Sequence, residues 1–275
     1  FDAIKHVGSG AAETATGVEQ LKRSLDNVNT SKAAEGFRQV SSQLNVPIKE
    51  VADTQFIASR HFQTQDSSLA VADVALKAYV LDNIAAKDAV QGLIAAHSAF
   101  GTSTDGLSNA FDRLDIAQQK FGARIQNTLP SIARSAGAVA NQGGTLNELT
   151  AIVSTIAASN PALSGQQIGT ALYRAAATQV ETPAHQATIR KLGLDPYEAV
   201  NQFTKFLIDA THAAAHFTRE QQRELSSAVF GSQYGGRVGP SLFEQSKRLT
   251  AITASQGSPE AAGSADRDLA HLRAQ

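Results

Sequence analysis

Alanine constrains this chain more than any other residue: 48 of its 275 positions are Ala, against 12 Phe and 4 Tyr. Alanine has the highest intrinsic helix propensity, whereas β-branched and aromatic residues favour strands. With aromatics at 6%, the balance predicts an all-α fold. Small side chains also let helices approach closely, although each contact buries little apolar area. The expected architecture is a multi-helix array of short antiparallel Ala-rich helices with a lead-in helix.

Apolar spacing carries the same message. Val18, Leu21, Leu25 and Val28 recur at three- and four-residue steps, the rhythm of one helix face. Phe37, Val40 and Leu44 resume the stripe after Asn27, Asn29, Thr30 and Ser31 interrupt it. Pro47 suits a first helical turn ahead of Ile48, Val51 and Phe56. Leu69, Ala72, Leu76 and Tyr79 mark a further helix opened by Asp66–Ser68. Val90, Leu93, Ile94 and His97 mark the next, which Gly101 can close in the left-handed conformation. Leu107, Phe111, Leu114, Gln118 and Phe121 follow, closed by Gly122.

The second half is punctuated more sharply. Thr145-Leu-Asn-Glu148 reads as a capping box, in which two side chains reciprocally satisfy helix-start N–H groups. Leu149, Ile152, Val153 and Ile156 then share a face until Asn160-Pro161 stops the helix. Ser164 can cap a helix carrying Ile168, Ala171, Leu172 and Ala175, and Ile189 and Leu192 end at Gly193. Asp195-Pro196 opens a helix through Val200, Phe203 and Leu207. Thr218-Arg-Glu-Gln221 is a second capping box before Leu225 and Val229, and Pro240 opens a last helix with Leu242, Leu249 and Ile252.

This reading gives about eleven helices. The Gly, Ser, Pro and Ala content of Gln256–Ser264 predicts a linker. The expected organisation is a lead-in helical segment over 1–40, a helical core region over 41–252, and a linker with the start of a next segment over 253–275. A stripe such as Val18–Val28 serves either as a core face or as a partner-binding face. Low charge, 18% of residues, and small side chains tilt the expectation toward self-association.

Composition removes several classes of function. There is no Cys, which excludes disulfide frameworks, zinc-thiolate sites, iron–sulfur clusters and cysteine nucleophiles. There is no Met either, so Phe1 is not a natural start and a longer polypeptide is expected. Lys and Arg number 24 against 25 Asp and Glu, without the basic excess that nucleic-acid binding requires. No specific nucleic-acid binding is expected. No apolar run reaches the roughly 18 residues of a membrane-spanning helix, and no signal-peptide pattern is present. Membrane contact is expected only through other parts of the full chain.

Four short patterns imitate sites. Gly231-Ser-Gln-Tyr-Gly-Gly236-Arg237-Val238 has the glycine spacing of a phosphate loop, but Arg237 and Val238 stand where Lys and Ser/Thr are required. It reads as a flexible helix–helix joint. Gly8-Ser-Gly10 begins a dinucleotide fingerprint that Glu13 breaks. His212 and His216, at i and i+4, would share a helix face, but Ala213 replaces the Glu of a zinc-protease helix. Asn29-Thr-Ser31 satisfies a glycosylation sequon of the kind chance supplies. No Gly-x-Ser-x-Gly elbow is present. No catalytic, cofactor-binding or metal site is expected, and no enzyme activity.

An ordered series of features spans half the chain. It begins with Leu107-Ser-Asn-Ala-Phe-Asp112-Arg-Leu114 and Ile125…Leu129-Pro-Ser-Ile-Ala133. Ala140-Asn-Gln-Gly143-Gly-Thr-Leu-Asn-Glu-Leu149 leads into Ile152…Ile156-Ala-Ala158. Gly169-Thr-Ala-Leu172-Tyr-Arg174, Lys191-Leu-Gly193 and Val229-Phe-Gly231 complete it. In this order, the stretch from Leu107 to Leu242 resembles the core region of tail-length tape measure proteins of long-tailed bacteriophages. Residues 44–100 fit that family's upstream helices more loosely.

The resemblance implies a structural virion protein that sets tail length during assembly, occupies the tail lumen or tip, and is released at genome ejection. Implied partners are other copies of itself in a coiled-coil homo-oligomer, tail-tube and distal tail-tip proteins, and tail assembly chaperones. The implied location is the virion, with the host cytoplasm during assembly. No catalytic residue is carried over, because that family core has none. The rival reading is a helical interaction or scaffolding module of a larger cellular protein, with a cryptic hydrolase behind it.

A ruler must be extended, and one continuous helix of this length would span roughly 410 Å at 1.5 Å per residue. Caps and stops at Thr145, Pro161, Gly193, Pro196, Thr218 and Pro240 forbid it. A packed helical region is expected instead.

Overall fold

The computed structural model describes residues 2–274, with side chains from residue 10 onward. Among the described residues the fold is all-α: sixteen α-helices, one π-helical turn and no strand. The longest, α1 (Asp2–Lys22), has 21 residues, about 32 Å of rise. No described helix is long and apolar enough to cross a membrane. The chain forms two compact units, Phe1–Ile94 with Arg267–Gln275, and Ala95–Asp266.

The first unit holds α1, α2 (Thr30–Leu44), α3 (Ile48–Ser59), α4 (Gln65–Asp82) and the start of α5 (Ala86–Phe100). The stripe Val18, Leu21 and Leu25 is a core face here. It packs with Phe37, Val40, Leu44, Val51 and Leu76. Glycine brings these helices together: a Cβ on Gly17 would lie 2.4 Å from the Cβ of Ala52 and 2.9 Å from the Phe37 ring.

The second unit contains α6 (Thr104–Phe121), α7 (Ile125–Asn141), α8 (Leu146–Ser159) and α9 (Gly165–Arg174). After the π turn Ala175–Gln179 come α10 (Pro183–Lys191), α11 (Pro196–Asn201), α12 (Phe203–Ala214) and α13 (Arg219–Gly235). The chain continues through α14 (Val238–Phe243), α15 (Ser246–Gln256) and α16 (Ser264–Ala274), the last contributing to both units.

The centre of this unit is α8, which touches α6, α7, α9, α12, α14 and α15. Its sequence predicts one buried face, but every residue from Leu149 to Ala157 is buried. Thr150, Ser154 and Thr155 are fully buried beside Leu149, Ile152, Val153 and Ile156. The hydroxyls tolerate burial because Thr150 donates to the Asn147 carbonyl at 2.7 Å and Thr155 to that of Ala151 at 2.8 Å. A buried hydroxyl with a backbone acceptor close by avoids the desolvation penalty.

Punctuation is where the sequence speaks most directly. Gly101 and Gly122 take φ of 63° and 72° behind α5 and α6, the left-handed cap that favours glycine. Ser164 and Thr218 form complete capping boxes with Gln167 and Gln221.

The count of about eleven is too low because some breaks carry neither Gly nor Pro. Gln202, at φ −143°, ψ 54°, separates α11 from α12, where Val200 to Leu207 reads as one helix. Pro240 lies inside α14, which stops at Phe243, so Leu242 and Leu249 sit on different helices. The expected linker Gln256–Ser264 is tied down. Gln256 donates through Nε2 to the Arg113 carbonyl, and Ala261 and Ser264 are buried.

Candidate functional site

The site look-alikes resolve into packing. Gly8-Ser-Gly10 lies inside α1 and forms no strand-to-helix turn. Helix α12 stops at Ala214, so His216 falls beyond its end and does not share a helix face with His212. The His212 Nδ1 instead pairs with the Ser246 hydroxyl at 2.9 Å. Asn29 is the N-cap of α2, its side chain accepting from the Lys32 N–H.

The glycine run Gly231–Gly239, whose composition suggests a flexible joint, is packed in the structure. Helix continues past a kink at Gly231, φ 71° and ψ 173°, to Gly235, and α14 starts at Val238. Gly235, Val238 and Gly239 are buried. A Cβ on Gly239 would stand 2.2 Å from the Ser226 hydroxyl oxygen. These glycines let α14 fold back onto α13.

Two of the ordered motifs mark close approaches between helices. In the first, Gly165 and Gly169 put α9 directly on the α7 backbone. A Cβ on Gly165 would lie 2.5 Å from the Asn127 carbonyl oxygen, and one on Gly169 would lie 2.6 Å from the Arg134 Cβ. Ser131 ties the crossing, its hydroxyl 2.5 Å from the Asn127 carbonyl and 3.0 Å from that of Gly165.

In the second, Gly143-Gly144 receives the break between α11 and α12. A Cβ on Gly143, whose φ is 66°, would stand 2.0 Å from the Asn201 carbonyl oxygen. The Phe203 N–H donates to the Gln142 carbonyl at 2.9 Å. The Thr145 box is opened to admit a third member. The Thr145 side chain accepts from the Glu148 N–H, but its own N–H donates to the Thr204 hydroxyl at 3.2 Å. Thr204 in turn donates to the Glu148 carboxylate at 2.7 Å.

Beside this packed centre, α13, α14 and α15 enclose an open groove of about 1080 Å³. Arg219 and Arg223 line it from α13, and Lys247 and Arg248 from the first turn of α15, with Glu244 the single carboxylate. Sequence patterning gave no warning of this charge cluster. The available signal was a helix start carrying Lys247 and Arg248 with no acidic residue in its first turn.

With that geometry in place, residues 55–231 match the family described as phage-related minor tail protein. The chain belongs to the phage-related minor tail protein family. No curated protein and no solved structure matches it. The minor tail match runs from α3 to the Gly231 kink, so it includes both glycine-mediated approaches and all of α8. Of the series that resembles tape measure sequences, Gly143-Gly144 and Gly169 bring helix backbones together. Arg219 and Arg223 lie within the match, and Lys247 and Arg248 beyond it.

Proposed function

We propose that this phage tail protein is a tail tape measure, and that the region described is a packed helical anchor rather than the extended ruler. The observation that carries the reading is the minor tail family match over residues 55–231, which overlaps the tape-measure-like series from Leu107 onward. The short helices support the anchor role. A length gauge needs rise along one axis, and here successive caps and close helix crossings shorten every element. In this reading the protein sits in the tail lumen or tip and associates with its own copies, tail-tube and tail-tip proteins and assembly chaperones. It leaves the particle with the genome. It carries out no catalysis.

Mass spectrometry of purified particles before and after triggered DNA ejection tests the reading. The protein should be present in intact virions and depleted from emptied ones. Equal amounts in both would contradict a releasable lumen protein, and absence from intact virions would contradict a virion role.

A further inference from the structure

The groove between α13 and α15 gathers several cations onto one surface. Of the four lysines in Ala95–Asp266, Lys120 pairs with Glu260, Lys191 with Glu224, and Lys205 with both Glu198 and Asp209. Lys247 alone has no carboxylate partner among the described residues. Arg219 and Arg223 are also exposed without an ion-pair partner.

Local structure makes this concentration of charge unfavourable as it stands. Lys247 and Arg248 occupy the first turn of α15, where the helix dipole is positive and anions are preferred. The N-cap Gln245 supplies no side-chain hydrogen bond there. Arg248 is partly engaged, donating to the Ala158 carbonyl at 2.7 Å near the end of α8. Arg219 and Arg223 stand one turn apart on α13, on the same face. The arrangement is poised to receive negative charge.

We propose that this groove binds an acidic segment of a partner protein, with its carboxylates on Arg219, Arg223 and Lys247. The inference stands independently of the tail-length reading. Several features favour a peptide over a nucleic acid. The chain as a whole has a net charge of −1, whereas nucleic-acid surfaces carry a basic excess. The lining also lacks an exposed aromatic on which a base could stack, since Phe243 is fully buried. The amide of Gln245 and the hydroxyls of Ser227 and Ser232 offer partners to a peptide backbone.

The test is fluorescence anisotropy on the full 275-residue chain with a fluorescein-labelled peptide of alternating Glu and Gly. Binding should weaken as salt rises. It should fall about tenfold in the R219S/R223S double variant, the loss expected from removing two exposed ion pairs. The variant K120S/K205S removes the same charge outside the groove and should bind as the parent does. Thermal unfolding and circular dichroism check that each variant keeps its helices. No binding of the peptide, or equal loss in both double variants, would overturn the proposal. So would a labelled single-stranded oligonucleotide that binds more tightly and is lost in R219S/R223S, which would assign the groove to nucleic acid.

Discussion

Gly169 of α9 rests on Ser131 of α7 so closely that a Cβ on it would stand 2.8 Å from the Ser131 carbonyl oxygen. Two backbones meet there, and neither can be moved aside as a flexible side chain can. Gly169→Ala should therefore force the helices apart and cost about 1–3 kcal/mol, the range for overpacking. Gly137 on the same α7 is an internal control. It is exposed, and a Cβ there would meet nothing within 4 Å. Gly137→Ala should stabilise by about 0.5–1 kcal/mol. Urea unfolding of both variants checks the sign difference.

Thr204 links Glu148 to the Thr145 N–H, and it is fully buried. Replacing it by Val keeps the shape but leaves the Thr145 N–H without its acceptor. The expected cost is about 1–3 kcal/mol, again read from denaturant unfolding. Thr150→Val is the comparison, because it removes a hydroxyl bonded only within its own helix. A cost there equal to that of Thr204→Val would argue against the linking role.

Asp112 of α6 caps a helix distant in sequence. Its carboxylate accepts the Gly263 N–H at 2.8 Å and the Ala265 N–H at 3.3 Å, while Ser264 donates to its carbonyl at 2.8 Å. Asp112→Ala should cost about 0.5–2 kcal/mol, as loss of an N-cap does. Amide exchange at Gly263 and Ala265 should accelerate in the variant, with exchange in α8 little changed.

Amide exchange also separates a packed Gly231–Gly239 from a loose one. Buried glycines and the Ser226 contact predict protection comparable with the flanking helices. Rapid exchange across the whole stretch would restore the flexible joint that its composition suggests.

How far the sequence revealed the fold depended on what each residue does locally. Thr145, Ser164, Gly101, Gly122 and Thr218 act on their own helix ends, so their roles could be read from neighbouring residues. Gln202 and the π turn Ala175–Gln179 break regular helix without any residue type that demands it; tertiary packing decides there. Gly231–Gly239 is ambiguous in the sequence because glycine serves both flexible loops and close packing, and its contact with Ser226 is made only in the fold. The enclosure of α8 was half legible: its apolar residues marked one face, while its buried hydroxyls are satisfied inside the helix and read as polar. The groove was invisible because Arg219 and Lys247 are far apart in sequence and meet only through the fold.

If this minor tail family region is an anchor, its packing is required for tail assembly, and electron microscopy of phage carrying an in-frame deletion of Thr145–Gln179 decides the matter. That segment contains α8 and α9, and its removal strips the apolar faces of α6, α7, α12, α14 and α15 of their partner. Assembled, infectious tails should be lost. Infectious particles whose tails are shortened in proportion to the residues removed would show that the segment is part of the ruler, and the anchor assignment would be wrong.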